Sequence, residues 1–293
     1  MDTSQLIYFI SEREAIRLRR AAGAPAPWTN DPILREWSFT NVRREDDRVT
    51  RWVVTHWREP HADDPDLWFA MCHARFINWP DTLAELGYPV PWNREHFLAV
   101  MAARAARGDK LYGPAYMIHA DNKNKGRCTA EYQAAEVFNP LWRMREFLRP
   151  TNGETLARYF ARLGERHGLG GGFMPAQIIA DLKYVAPLSA ASDWMTFAAS
   201  GPGSRRGLNR VLGRPVDARW SENGWRWEFE RLRTTFMPAL ECIGLGDLHA
   251  QDLQNCLCEF DKYQRVHLGE GKPRRRFHPS PDPLPGVLQD AAE

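Results

Sequence analysis

The sequence lacks the features that would place it in a membrane or in a secreted class. It has no apolar run of about 18 residues, which excludes a membrane-spanning helix, and no secretory apolar segment follows Met1. Its five cysteines are odd in number and have no repeating spacing, so we expect reduced thiols and a cytoplasmic location. Cys256 and Cys258 lack a second Cys or His pair, and no metal site is expected.

A nucleotide-binding loop and a strong net charge are also missing. No GxxxxGK[ST] motif occurs: GEGK at 269–272 is followed by Pro273, and GGGF at 170–173 lacks the lysine. The sequence therefore predicts no nucleoside-triphosphate kinase chemistry and no cofactor. The 39 basic and 37 acidic residues leave a net charge of +2, so any basic surface must be local.

Most of the chain has the pattern of helices. Its 293 residues, 43% of them hydrophobic, are enough to bury a large core. Apolar residues recur at helical spacing over 6–18, 67–78, 80–86, 93–107, 128–148 and 151–168. Alternation is limited to short pieces such as 112–118 and 219–227. We therefore predict a mainly α fold with few short strands.

The segment GLGGGFMPAQIIADL at 168–182 has the order that a helix-hairpin-helix needs to hold a DNA phosphate. Its glycines permit a turn with backbone N–H groups converging on an anion where the next helix begins. An apolar stripe then packs the second helix onto a first helix at 151–167. The residues predicted to contact DNA are Gly170, Gly172, Phe173 and Met174. The alternative is a plain loop that caps a core helix.

Aligned by its glycines, this hairpin resembles the turn of the helix-hairpin-helix DNA glycosylases. In that family a catalytic aspartate follows the turn by roughly 20 residues, and Asp193 lies at about that distance. Met174 stands where the bifunctional members have lysine, so we expect no Schiff-base lyase chemistry. The alternative for Asp193 is a helix N-cap before Trp194.

A second glycine-rich segment, GPGSRRGLNR at 201–210, combines three glycines, a serine and three arginines. Backbone N–H groups and guanidinium groups together suit a phosphate, so Ser204 and Arg205 are predicted phosphate ligands. An ordinary loop is the alternative.

Two further segments concentrate polar residues among aromatic ones. The segment at 27–50 places charged side chains close to tryptophans, which predicts a partly buried polar network. The segment at 252–265 places Asn255, Glu259 and Lys262 on adjoining parts of one helical face, with Cys258 nearby. From the first segment the candidate residues are Trp28, Asp31, Asn41, Arg43, Arg44 and Asp46.

Together, PWTNDPIL, FTNVRREDD, GGGFMPAQIIADL, GPGSRRGL and LCEFDKY resemble the phage-associated α-glutamyl/putrescinyl-thymine pyrophosphorylase family. The family is distantly related to the helix-hairpin-helix glycosylases, and 5-hydroxymethyluracil DNA kinases carry the same helical domain. The resemblance covers roughly residues 5–278. It implies a mainly α, glycosylase-like fold. Because no kinase loop is present, it also implies a stand-alone amino acid:DNA transferase of thymidine hypermodification.

The resemblance implies that an amino acid amine, expected to be that of glycine, displaces phosphate from 5-phosphomethyl-deoxyuridine in DNA. Arg205 and Ser204 would hold the phosphate, and Arg43 or Arg44 the amino acid carboxylate. Asp193, Asp46 or Glu259 would act as base, and Cys258 could add to pyrimidine C6. Asn41, Asp31, Trp28, Asn255 and Lys262 would complete the substrate site.

The expected partners are double-stranded DNA with modified thymine, free glycine and the 5-hydroxymethyluracil DNA kinase of the same pathway, in the cytoplasm of a phage-infected bacterium. Residues 1–150 are predicted as an N-terminal helical subdomain, 151–265 as the hairpin subdomain and 266–293 as a basic, proline-rich tail, within one compact unit. The alternatives are a base-excising, glycosylase-like enzyme and a non-catalytic DNA-binding subunit.

Overall fold

Helices make up most of the computed structural model, which describes residues 3–113, 128–169 and 172–278. Within those residues the one β pairing is an isolated antiparallel bridge between Trp37 and Arg276. This confirms the prediction of a mainly α protein. The predicted strand at 219–227 is wrong, because a helix begins there at Glu222 after the cap Ser221. Most of the other predicted strand, 112–118, falls outside the described residues.

The helices have the following bounds. In chain order they are α1 (Ser4–Ala21), α2 (Pro32–Glu36), α3 (Arg48–Val53), α4 (Leu67–Ile77), α5 (Pro80–Leu86), α6 (Arg94–Ala106), α7 (Thr129–Tyr132), α8 (Asn139–Arg143), α9 (Arg145–Leu148), α10 (Leu156–Gly164), α11 (Phe173–Leu182), α12 (Pro202–Val211), α13 (Glu222–Cys242) and α14 (Ala250–His267). Short 3₁₀ turns lie at Arg44–Asp46 and Leu188–Ala190, and wider π-type turns at Val54–Arg58 and Gln133–Phe138.

The described chain divides into two units that do not follow the predicted boundaries. Unit 1 consists of residues 3–47 and 195–278, and unit 2 consists of 48–113, 128–169 and 172–194. The predicted boundary after residue 150 therefore lies inside unit 2, between α9 and α10. Unit 1 joins the two ends of the described chain because the apolar face of α1 packs against α14, where Phe9 meets Phe260 and Tyr263.

Helices α12 and α14 make an unusually close contact within unit 1. A Cβ atom added at Gly203 would overlap Cys258, and one added at Gly207 would overlap the backbone carbonyl of Leu257. The glycines of the 201–210 segment therefore allow two helix backbones to approach. This explains why glycine occurs in a helix, where it normally costs stability.

Unit 2 is built around α4, all of whose residues are buried. On one side α4 packs against α11, and Arg75 makes a two-pronged ion pair with Asp181, both about 1% exposed. On another side His73 stacks on Phe138 with ring centroids 3.7 Å apart. A helix that is buried all round needs such internal partners for its polar side chains.

Candidate functional site

Unit 1 contains a cavity of about 330 Å³ with aromatic and arginine walls. This volume is at the lower end of the range for small-molecule sites. Its lining residues are Arg13, Ile16, Arg20, Ala26, Pro27, Trp28, Thr29, Leu34, Arg35, Trp37, Phe39 and Phe277. We call this cavity the arginine pocket.

Four stretches of sequence meet at the arginine pocket. On α1, Arg13, Ile16 and Arg20 follow one another at i, i+3 and i+7, so they share a helix face. The loop after α1 and the short helix α2 supply the opposite wall. The last described segment of the chain adds Phe277, whose backbone N–H donates to the carbonyl of Glu36 at the end of α2 (2.8 Å).

Arg13 is the most constrained of the three pocket arginines. It is 8% exposed; its Nε donates to the carbonyl of Thr40 (2.9 Å), and its Nη2 donates to Oδ1 of Asn41 (2.7 Å). Its Nη1 is buried and has no hydrogen-bond partner among the described residues. Burial lowers the pKa of Arg13 below the usual arginine value, although arginine remains protonated in proteins. A buried donor without a partner favours an acceptor ligand.

Arg20 and Arg35 carry no carboxylate partner within the described part of the chain. The Arg20 guanidinium lies over the rings of Trp28 (4.9 Å) and Phe277 (5.8 Å). The exposed Arg35 side chain makes neither a hydrogen bond nor an ion pair there. No residue lining the pocket is acidic. Three guanidinium groups beside apolar rings therefore create a positive potential in a partly dehydrated space.

Such a pocket suits a flat, apolar ring that carries an anionic group. Nucleobases stack on aromatic side chains, and phosphate oxygens accept paired hydrogen bonds from guanidinium groups. A neutral or cationic ligand would leave the charges of Arg20 and Arg35 without a counter-ion in the pocket. The arrangement can therefore bind a base or nucleotide, and it can stabilise negative charge that develops on a leaving group.

A polar network lies directly behind Arg13. The Asn41 side chain bridges Arg13 and the carbonyl of Asp46, and the Asn41 N–H donates to Oδ1 of Asp47 (3.0 Å). Burial raises the pKa of Asp47 to about 6 against the opposing effects of its hydrogen bond with Asn41 and of Arg44 and Arg13. The predicted polar network at 27–50 therefore exists, and the carboxyl group in it whose pKa is raised is that of Asp47.

Glu259 joins the same network from α14. Its Oε2 accepts from the Thr40 N–H (2.9 Å) and pairs with Nζ of Lys262 (2.5 Å). The Asn255 side chain donates to Oγ1 of Thr40 (2.9 Å). The prediction that these three α14 residues share a face is confirmed. They hold the 39–41 segment in place and do not line the pocket.

Of the two candidates at the start of the 27–50 segment, Trp28 lines the pocket and Asp31 does not. Asp31 caps α2, with Oδ1 accepting from the N–H groups of Ile33 and Leu34, while its Oδ2 accepts from the hydroxyls of Tyr8 and Tyr263. Both carboxylate oxygens of Asp31 are therefore already used as acceptors within unit 1, which indicates a structural role. Burial and Asp31 raise the pKa of Tyr8 to about 12.

Arg43, Arg44 and Asp46 are placed away from the pocket lining. Arg43 lies between Glu14 (3.0 Å) and Asp247 (2.6 Å), and Asp46 pairs with Arg17 (3.1 Å). The backbone N–H of Arg44 donates to Oδ1 of Asp252. Arg43 therefore already has two carboxylate partners, which leaves it poorly suited to hold the carboxylate of an amino acid.

The 201–210 segment is a helix, not a phosphate-binding loop. Ser204 is completely buried and bonds back to Gly201 at the start of α12. Arg205 pairs with Glu222 (3.0 Å) and donates to the hydroxyl of Ser200 (2.8 Å). The predicted phosphate role of Ser204 fails because its side chain is used to begin the helix.

Cys258 is likewise a packing residue in this conformation. It lies against Gly203 in the contact between α12 and α14. Burial, with a smaller contribution from Glu259, raises the pKa of its thiol to about 11. A nucleophilic cysteine needs a low pKa and access to its substrate, so the predicted C6 adduct through Cys258 has no support in the geometry.

In unit 2, α10 and α11 pack against each other as the two arms of the predicted hairpin. Gly172 precedes α11 with φ of 79°, a left-handed conformation that favours glycine. Phe173 is 47% exposed, whereas Met174 is 4% exposed and belongs to the core, so Met174 offers no surface to DNA. Gly170 lies outside the described residues.

Asp193 also has a structural position. Its two carboxylate oxygens accept from the N–H groups of Leu156 (2.7 Å) and Ala157 (2.9 Å) at the start of α10. A carboxylate here is stabilised by the helix dipole and by its two donors. Asp193 therefore caps a helix, as the alternative prediction had it. The helix is α10, whose first residue lies 37 positions earlier in the chain, and not one that begins at Trp194.

The candidate residues that the sequence did not indicate are Arg13, Arg20, Arg35 and Phe277, whereas Asp47 belonged to the predicted polar network but was not selected as a site residue. Arg13 and Arg20 stand among several charged residues of α1, a pattern that is typical of a solvated helix face. Their spacing of seven residues around the apolar Ile16 was the one available signal. The part played by Phe277 could not be foreseen, because it depends on backbone bonds to the distant α2.

Comparisons with known proteins agree with the predicted resemblance to the helical domain of 5-hydroxymethyluracil DNA kinases. The family described as 5-hmdU DNA kinase, helical domain, matches residues 2–272. The chain is also 27% identical over 298 residues to the 5-hmdU DNA kinase of Bacillus phage SP10. That alignment covers 90% of this chain and 45% of the relative, so this chain spans less than half of the kinase's length. No solved structure matches the chain.

Proposed function

The chain belongs to the 5-hmdU DNA kinase helical-domain family, and on this premise we propose that it acts on modified thymine in phage DNA. The reaction would replace the phosphate of 5-phosphomethyl-deoxyuridine with an amino acid amine, glycine being the first candidate. The observation that carries the proposal is the arginine pocket, which combines aromatic walls with three arginines and no acidic lining residue.

The pocket would receive the base after it has been turned out of the duplex. Enzymes that modify a base within DNA extrude it into a pocket and stack it on aromatic side chains. Trp28, Trp37 and Phe39 supply such side chains, and Arg13 and Arg35 supply donors for the phosphate. The Arg35 side chain is exposed and makes no hydrogen bond or ion pair among the described residues, so it is the pocket donor most open to the phosphate.

The chemical step needs no nucleoside triphosphate, because the phosphate is already a leaving group. The amine nitrogen would attack the C5 methylene carbon, forming a C–N bond while the C–O bond breaks and its electron pair leaves on inorganic phosphate. One ammonium proton must pass to a base before the attack, and the departing phosphate takes up one proton to leave as hydrogen phosphate, while the new secondary ammonium keeps its two protons. The pocket arginines would stabilise the charge that develops on the departing phosphate.

We place the proton acceptor at Asp47 and the amino acid carboxylate at Arg20. With a pKa raised to about 6, Asp47 is ionised at neutral pH and is a stronger base than an ordinary aspartate. Asp47 does not line the pocket; it is connected to the pocket residue Arg13 through Asn41, whose N–H donates to Asp47 and whose side chain accepts from Arg13. Of the earlier candidates, Asp193 caps α10, and Asp46 and Glu259 form ion pairs with Arg17 and Lys262. The guanidinium of Arg20 has ring contacts alone among the described residues, so it remains open to a carboxylate.

We further propose that the α10–α11 hairpin grips the DNA backbone, as in a glycosylase-like helix-hairpin-helix fold. Support comes from the packed helix pair, the left-handed Gly172 and the exposed Phe173. This grip would not read sequence. Duplex DNA, glycine and a separate 5-hydroxymethyluracil DNA kinase would be the partners, in the cytoplasm of a phage-infected bacterium. No helix in the described part of the chain is long and apolar enough to cross a membrane.

The direct test is to incubate the protein with duplex DNA containing 5-phosphomethyl-deoxyuridine and radiolabelled glycine, then digest the DNA to nucleosides. We expect a labelled nucleoside and an equal amount of released phosphate. The variant Arg35→Ala should lower the rate by about tenfold or more, the effect of losing roughly 1.4 kcal/mol of transition-state stabilisation. The matched control Arg219→Ala removes an exposed arginine of unit 1 that does not line the pocket, and it should retain the wild-type rate.

Three results would contradict this function. Absence of label with every common amino acid would exclude the transferase. Abasic sites formed without any amino acid would identify a base-excising enzyme instead. DNA binding without turnover, in which Asp193→Asn and Arg205→Ala alter affinity alone, would identify a non-catalytic DNA-binding subunit.

A further inference from the structure

We infer that the segment Lys272–Phe277, with the sequence KPRRRF, binds the phosphates of duplex DNA beside the arginine pocket. We call it the basic segment. The inference deepens the proposed function, because it names the surface that would hold the DNA next to the turned-out base. The family match ends at residue 272, where this segment begins, so the family itself assigns no role to residues 273–277.

The basic segment is fixed to the pocket by its backbone. The Ser38 N–H donates to the carbonyl of Arg275 (3.2 Å), and the Phe277 N–H donates to the carbonyl of Glu36 (2.8 Å). Between these bonds, Arg276 and Trp37 form the isolated antiparallel bridge. Residues 275–277 are therefore paired with 36–38, and this pairing sets the direction of their side chains.

Two side chains strengthen this attachment. Arg276 pairs with Glu36 (3.3 Å) and lies over the Trp37 ring (5.5 Å). Phe277 enters the pocket lining and meets Trp28 edge-on, with ring centroids 6.2 Å apart. One arginine and the phenylalanine thus anchor the segment to unit 1.

The remaining three cations of the segment have no partner of their own. Lys272, Arg274 and Arg275 are exposed, and their side chains make no hydrogen bond or ion pair in the described part of the chain. The backbone of Arg275 is already held by its pairing with Ser38, so little further backbone freedom is lost when this residue binds an anion. Phe277 of the same segment lines the pocket together with Arg20 and Arg35, so the segment's cations are attached to the pocket wall through it.

Charge and polarity favour a nucleic acid backbone as the partner. The only large apolar side chain of the segment, Phe277, already lies in the pocket wall, so the segment offers cations without an apolar anchor for a membrane or a hydrophobic peptide. Phosphate contacts position a protein on DNA without reading its sequence. A surface of this kind beside a base pocket would hold the strand from which the base is turned out.

The first experiment measures binding of unmodified duplex DNA at several salt concentrations. In the full chain, Lys272→Ala, Arg274→Ala and Arg275→Ala are combined. Each lost phosphate contact should reduce the slope of log affinity against log salt by about 0.9, so the combined variant should lose up to about 3 from the slope. Its affinity at low salt should fall by at least tenfold.

A matched control removes the same charge elsewhere in unit 1. Arg219→Ala, Arg226→Ala and Arg231→Ala are combined, since all three arginines lie outside the pocket lining and the segment. Thermal melting of both variants checks folding. A second variant, Phe277→Ala, keeps every charge of the segment. It should leave the salt slope unchanged while weakening binding of DNA that carries the phosphomethylated base.

Binding of unmodified DNA requires no reaction, so failure of the transferase assay and failure of this inference can be told apart. The inference is overturned if the segment variant keeps the wild-type slope. It is also overturned if the control loses as much of the slope as the segment variant does. Loss of binding to an acidic peptide or to anionic lipid vesicles, with DNA binding intact, would assign the surface to that partner and overturn it as well.

Discussion

Unit 1 contains two sets of arginines that differ in whether a carboxylate of the protein is paired with them. The pocket arginines, Arg13, Arg20 and Arg35, have no carboxylate partner in the described part of the chain. The paired arginines each meet at least one carboxylate; they are Arg43, Arg205, Arg206 and Arg210. The sequence favoured the second set as ligand-binding residues, and the structure favours the first.

The difference shows that the availability of an arginine is decided by residues far away in sequence. Arg206 and Arg210 both bind Asp261, which is 1% exposed and more than 50 positions later, and Arg43 binds Asp247, 204 positions away. No local pattern reveals such partners. Breaking the paired set should therefore change stability, and breaking the pocket set should change binding.

The largest effect on stability is expected from Asp261→Asn. The change leaves Arg206 and Arg210 without their shared, buried carboxylate, and removing one partner of a buried ion pair typically costs about 3 kcal/mol or more. We expect that decrease in the free energy of unfolding, measured in urea, with binding of phosphomethylated DNA by the folded fraction unchanged. Full stability in this variant would contradict the structural role of the paired set.

Gly207→Ala tests the contact that brings the paired arginines to Asp261. The added Cβ would overlap the backbone of α14 at Leu257, and overpacking of this kind costs about 1–3 kcal/mol. The control is Gly213→Ala, where no atom lies within 4 Å of the added Cβ, although φ of 66° adds its own strain. Urea unfolding should show the larger loss at position 207, and equal losses would remove the argument for close helix packing.

The network behind the pocket arginines predicts a pH effect of intermediate size. Because the folded-state pKa of Asp47 is raised to about 6, the folded protein binds the proton more tightly than the unfolded chain does. The Asp47 contribution to stability is therefore complete below about pH 4 and is lost as the pH rises through 6.

Asp47→Asn removes that loss, so the stability of the variant relative to wild type should rise by about 1 kcal/mol between pH 4 and 7, after allowance for solvent screening of a half-buried group. Urea unfolding across this pH range measures the difference. A flat difference would show that the Asp47 pKa is not raised.

The smallest effect is expected from Arg205→Ala. Arg205 and Glu222 are each more than a third exposed, and pairs of this kind contribute about 0–1 kcal/mol. Stability and product formation should both stay close to wild type. A large loss of product formation with unchanged folding would restore the phosphate role that the sequence favoured.

Helix type and local packing were the predictable part of this protein. The spacing of apolar residues predicted α1, α4, α5 and α6 closely, and α10 and α11, which were predicted to pack on each other, do so. These elements depend on neighbouring residues, which a single sequence contains. The shared face of Asn255, Glu259 and Lys262 is predictable for the same reason.

The site was harder because its walls come from distant parts of the chain. Glycines at 201–210 indicated an anion-binding loop, but they serve a helix contact whose other half lies at 257–258. The carboxylates of Asp31 and Asp193 were candidate site residues, yet each accepts hydrogen bonds from backbone N–H groups at the start of a helix. Type and spacing of residues cannot distinguish a free group from one with a distant partner.

The joining of residues 3–47 to residues 195–278 in unit 1 has a consequence for synthesis. The arginine pocket takes walls from Arg13 through Phe277, so the ribosome must release nearly the whole described chain before the pocket can close. Unit 2, whose residues are continuous between 48 and 194 apart from the undescribed stretches, can form earlier. α1 could pack in unit 1 only after α14 has been synthesised. We therefore expect unit 1 to fold late and slowly, because its contacts join residues far apart in sequence.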